Sequence, residues 1–157
     1  MAKEIMDRRA SDNKYLHRDF HNFMNLGINY VQELYGEEGV REYLRDFAMA
    51  FYAPLKEDIK KRGLAAIKDH YEKIYAIEEA SNDVEFTLSE DELIIKVNKC
   101  PAVTHIRSCG IEMAPLYYET FKTTNEVICE GSPFAYELVE YDKDTGRSLE
   151  RFYRKEK

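Results

Sequence analysis

Val84-Glu-Phe-Thr-Leu-Ser-Glu-Asp-Glu-Leu-Ile-Ile-Lys-Val97, running straight into Asn-Lys-Cys100-Pro-Ala-Val-Thr-His-Ile-Arg-Ser-Cys-Gly110, decides the fold. Val84, Phe86 and Leu88 alternate with polar residues, the period of a strand with one buried face. Residues 89–92 read as a turn and 93–97 as a second strand, so the two pair as a hairpin. Pro101 suits the first turn of a helix and Gly110 its end. A strand therefore delivers the chain into a helix at Cys100.

Upstream the pattern is helical. Leu16, Phe20, Phe23, Gly27, Tyr30, Val31 and Leu34 recur at spacings of three and four, which predicts a helix over 14–35 with this stripe turned inward. Gly36 ends it, and acids at 37 and 38 open a second helix that buries Val40, Tyr43, Leu44, Phe47 and Phe51. Pro54 starts a short basic helix over 54–62, closed by Gly63. A further helix over 64–79 buries Leu64, Ile67, Tyr71, Ile74 and Tyr75. Residues 1–12 are charged and expected to fray.

Downstream, 115–129 reads as a helix with Leu116, Tyr118, Phe121, Val127 and Ile128 turned inward. Gly131, Ser132 and Pro133 break it. Strands over 134–141 and 148–153 then flank a turn rich in Asp and Gly. The sum is one α+β domain over 1–157: N-terminal helices packed with a four-stranded, mainly antiparallel sheet, and two helices inserted between its hairpins.

The bulk numbers narrow the function classes. The chain has 157 residues, 44 % hydrophobic and 34 % charged, as expected of an ordered domain. A net charge of −7 argues against a nucleic-acid partner. The N-terminus has no apolar run like a signal peptide, and no stretch approaches the ~18 apolar residues of a membrane span. A cytoplasmic location without a membrane partner follows as an expectation, with the three cysteines as free thiols. No glycine-rich phosphate loop, nucleophile elbow or dinucleotide fingerprint is present, so no cofactor is expected.

The reactive residues gather around Cys100. A thiol at a helix N-terminus meets unpaired N–H groups and the positive end of the dipole, which favours the thiolate and makes Cys100 a candidate nucleophile. His105 is the candidate base, although its helical spacing to Cys109 is the easier one. Arg107 and Lys99 can receive a substrate carboxylate. Tyr117, Tyr118, Phe134 and Tyr136 are candidate pocket walls, in a chain with 12 Tyr, 8 Phe and no Trp. Cys100, His105, Cys109 and Cys129 are ligand types for zinc, but their spacing lacks paired knuckles. His17 and His21 are four apart without a third ligand, so no metal is expected.

The helical first half, the Lys99-Cys-Pro-Ala-Val-Thr-His105 turn, the tyrosine-rich helix and the Gly131-Ser-Pro133 break before a final hairpin together resemble the L-2-amino-thiazoline-4-carboxylic acid hydrolase family. The likeness covers roughly residues 30–153. It implies a hydrolase that opens a small carboxylate-bearing cyclic amidine to an N- or S-carbamoyl cysteine. Attack on an amidine carbon needs a nucleophile, a proton donor and a carboxylate clamp, and Cys100, His105 and Arg107 are the nearest candidates. Two other classes fit the residues: a small-molecule-binding or sensor domain without catalysis, and a homodimeric interaction module built on aromatic helix faces.

Overall fold

The computed structural model describes residues 14–156, with side chains from residue 18 onward. The expected fraying over 1–12, and the side chains of Leu16 and His17, lie outside the described residues. Helix α1 (Lys14–Phe51) has a break at Gly36, where φ is 70° and ψ −166°. That left-handed φ suits glycine, and the two arms fold back on each other as a hairpin. Phe20 of the first arm stacks on Phe47 and Phe51 of the second, with centroids 5.7 and 6.4 Å apart.

Helices α2 (Ala53–Arg62) and α3 (Leu64–Ile77) follow, separated by Gly63. Strands β1 (Val84–Leu88) and β2 (Glu92–Val97) form the first hairpin. Then come α4 (Pro101–Ser108) and α5 (Glu119–Cys129), and finally β3 (Phe134–Tyr141) and β4 (Ser148–Arg154). The strand order is β1-β2-β4-β3, antiparallel throughout, so α4 and α5 lie between the two hairpins in sequence. The α+β architecture is the one the sequence implies.

Period-two alternation builds the core. Leu93, Ile95 and Val97 of β2 are buried, as are Ser148, Glu150 and Phe152 of β4 and Phe134 and Tyr136 of β3. Helix α3 packs on β1 and β2, and α5 packs on β3. Fully burying an aliphatic or phenyl side chain of this kind contributes about 1.5–3 kcal/mol. Lys56 of α2 donates from Nζ to the carbonyl oxygens of Val127 and Glu130, at 2.5 and 3.1 Å, at the C-terminal end of α5.

Three expectations are corrected. On the second arm, Val40 and Leu44 are buried as expected, but Tyr43 and Phe51 are exposed. The stripe of the first arm does not face the core: Phe20, Phe23, Tyr30 and Leu34 are exposed, and the buried side chains are Met24, Asn25 and Ile28. The arm meets the body along a neighbouring face, and the 3–4 stripe looks across its own hairpin and into solvent. Helix α5 starts at Glu119 rather than at 115. Residues 115–118 form a turn, because the backbone N–H of Ala114 donates to Asn25 Oδ1 at 2.8 Å and fixes the chain before the helix.

Candidate functional site

Cys100 is the N-cap of α4, as the sequence places it, but its thiol is buried. Its backbone N–H donates to Thr145 O at 3.2 Å, and the Asp142–Gly146 turn lies over it. A Cβ on Gly146 would stand 2.4 Å from Cys100 Cβ. Burial pushes the thiol up to about 11, beating the Val103 and Ala102 N–H groups that pull the other way. The expected thiolate is therefore not favoured at neutral pH. Its electrostatic neighbours include Tyr75, Tyr117, Tyr141 and Glu150.

His105 turns away from this interior. Its Nε2 is 3.7 Å from Cys109 Sγ and 3.4 Å from Asn22 Nδ2 on α1. Asn22 Nδ2 is also 3.5 Å from Cys109 Sγ, and Asn22 Oδ1 is buried with no hydrogen-bond partner. Cys109 is exposed, so among the described residues the accessible thiol–imidazole pair is Cys109–His105. Their i, i+4 spacing at the end of α4 brings them together.

His105 also lines a cleft of about 270 Å³ together with Arg18, Lys99, Thr104, Ser108, Glu78 and Asp83. Arg18 is held there by Glu78 and Glu79, at 3.7 and 3.8 Å, and His21 pairs with Glu78. A second depression of about 330 Å³ shares Lys99 and Thr104 and adds Arg107, Asp144 and Thr145. Arg107 reaches Asp144 Oδ1 at 3.2 Å across it. The two depressions flank the start of α4, and their charge is mixed.

The remaining predicted residues occupy other places. Tyr117 is buried beside Cys100, and Tyr118 is half-buried on the turn before α5. Tyr136 is buried and donates to Glu150 Oε2 at 2.9 Å. Ser148 Oγ donates to Glu150 Oε1 at 3.0 Å, and Asn125 Nδ2 to Oε2 at 3.3 Å. Tyr71 donates to Asn125 Oδ1 at 2.6 Å. Burial pushes the Glu150 carboxyl above its ordinary range, against the Tyr136 and Ser148 hydrogen bonds. Sequence reasoning missed this buried carboxyl, although the alternation Ser148, Glu150, Phe152 marks it as inward-facing.

All three cysteines are free, and Cys129 is buried on α5 with its thiol pushed up to about 12. Among the described residues no group of three or more His, Cys, Asp or Glu gathers as a metal site. No helix among them is long and apolar enough to cross a membrane. Comparison with protein-family models, curated proteins and solved structures returns no match to this chain.

Proposed function

We propose that the chain is a thiol-assisted hydrolase of a small carboxylate-bearing cyclic amidine, working where α4 borders its mixed-charge cleft. The observation that carries this reading is the Cys109–His105 pair at 3.7 Å, with the same imidazole lining the cleft beside Arg18 and Lys99. A cyclic amidine bearing a carboxylate is a zwitterion. Lys99, which lines the cleft, suits its carboxylate, with Arg107 in the neighbouring depression, and Asp83 suits the amidinium. The resemblance to the L-2-amino-thiazoline-4-carboxylic acid hydrolases names the same substrate class.

In this reading His105 takes the Cys109 thiol proton as sulfur adds to the amidine carbon. The ring C–S or C–N bond breaks, and the imidazolium returns the proton to the leaving atom. Water then displaces Cys109, so the net change is the addition of one water. Cys100, neutral and covered, packs the floor under α4 rather than supplying the nucleophile.

The test is ring opening of 2-amino-thiazoline-4-carboxylate, followed by mass spectrometry of the carbamoyl product. Wild type turns over. Cys109→Ser and His105→Gln each lose at least about 100-fold, the scale of a lost acid–base or nucleophilic group. Cys100→Ser keeps most of the activity. An inactive wild type, or a fully active Cys109→Ser, would sink the reading. A non-catalytic binding role is the second reading, favoured by the buried, neutral Cys100 among tyrosines. Calorimetric binding of the same compound without product would select it.

A further inference from the structure

The outer face of the α1 hairpin is the largest apolar surface the proposed chemistry leaves unused. Phe23 is 72 % exposed, Tyr30 64 %, Leu34 54 % and Leu26 51 %. Phe20 is also exposed, and Tyr43 and Phe51 continue the strip onto the second arm. The arms are held together beneath it. Phe20 of the first arm stacks on Phe47 of the second at 5.7 Å, and a Cβ on Gly27 would touch Tyr43 at 3.4 Å.

We infer that this face pairs with the same face of a second copy of the chain, closing a four-helix bundle from two α1 hairpins. Three observations commit it to that occupant. The first is spacing. Phe20, Phe23, Gly27, Tyr30 and Leu34 follow a 3-4-3-4 rhythm, which is also the repeat of a helix–helix seam. The intramolecular partner, the second arm, covers only one flank of that seam. The second is area. Seven half-exposed large side chains offer on the order of 700 Å², close to the ~800 Å² per partner of a standard interface and above the patches monomers usually show. The third is shape. An antiparallel helical hairpin is self-complementary about a two-fold axis, and two such hairpins make a closed bundle with no surface left over.

Charge adds a signature. Glu33, Glu42 and Asp46 stand exposed on the same hairpin, and Arg41 and Arg45 are engaged by Glu119 and Glu130. Two copies bring like charges together at the rim, so added salt tightens the pairing. A basic helix from another protein would show the opposite dependence.

The test is analytical ultracentrifugation of the full chain over a concentration series at low and high salt. Wild type is expected as a dimer with Kd in the micromolar range or below, tighter at high salt. Phe23→Glu/Tyr30→Glu is expected to sediment as a monomer with an unchanged circular dichroism spectrum. Val139→Glu, at an exposed apolar residue on β3, stays dimeric. A monomeric wild type at every concentration and salt would overturn the inference, leaving the face to a different protein. A dimer that survives Phe23→Glu/Tyr30→Glu would also overturn it, by placing the contact elsewhere. Should the double variant unfold, Leu26→Lys gives the same readout from one solvent-facing position.

Discussion

At the scale of single residues, the fold places two kinds of thiol and one unusual carboxyl. Cys109 is open to solvent beside an imidazole, and Cys100 is sealed beneath the Asp142–Gly146 turn. The helix N-terminus at Cys100 is legible in the sequence; the burial that outweighs it is not, because it depends on a turn some forty-five residues later. Glu150 carries a testable consequence. Its folded-state pKa is raised by burial, so its contribution to stability is full below the ordinary carboxyl value of ~4.3 and is lost as pH rises through the folded value. Glu150→Gln keeps one carbonyl acceptor, enough for Tyr136, but cannot titrate. Relative to this variant, wild type is expected to lose stability as pH rises above the ordinary carboxyl value of ~4.3, read from urea denaturation at each pH. A difference that stays flat would show that Glu150 is not held above its usual range.

At the scale of elements, glycines mark where the chain must turn, and they differ in what surrounds them. Gly146 has φ +68°, and a Cβ there would meet Cys100 Cβ at 2.4 Å and Val103 Cγ2 at 2.8 Å. Gly110 has φ +70° and open space around it. Gly146→Ala is therefore expected to cost about 3 kcal/mol or more, from backbone strain and overpacking together. Gly110→Ala costs about 1 kcal/mol, from the backbone alone. Thermal denaturation of the two variants checks the order.

The strands were readable because Val84, Phe86, Leu93, Ile95 and Val97 alternate, and a half-buried sheet leaves that trace in any sequence. The stops at Gly36 and Gly63 were readable for the same local reason. The facing of α1 was not, since a 3–4 stripe says that a helix face is apolar without saying what covers it. The start of α5 was hidden too, because Asn25, some ninety residues earlier, holds Ala114 in place. The Cys109–His105 pair was visible as a spacing, whereas Asn22, which completes the cluster, comes from another element.

At the scale of the whole molecule, long-range ties bind the helices to the sheet as one body. Arg41 of α1 reaches buried Glu119 of α5 at 3.2 Å, and Asn25 Nδ2 donates to Glu112 O at 2.8 Å. Tyr71 of α3, Asn125 of α5 and Glu150 of β4 share one hydrogen-bonded chain. These contacts leave no seam along which one part would melt alone. Circular dichroism and tyrosine fluorescence, the latter undisturbed by tryptophan, are expected to give coincident urea transitions. Two separated midpoints would mean that the α1 hairpin or the sheet unfolds by itself.

The strand order has a consequence for how the protein is made. β4, which follows β3 in sequence, lies between β2 and β3 and pairs with both. While residues 148–154 are still inside the ribosome, the β1–β2 hairpin has an open edge and β3 has no neighbour. The helices can gather as they emerge, but the sheet waits for β4. A chain lacking residues 148–154 would lose the middle of its sheet rather than a fringe, and would offer two bare strand edges to any other chain nearby.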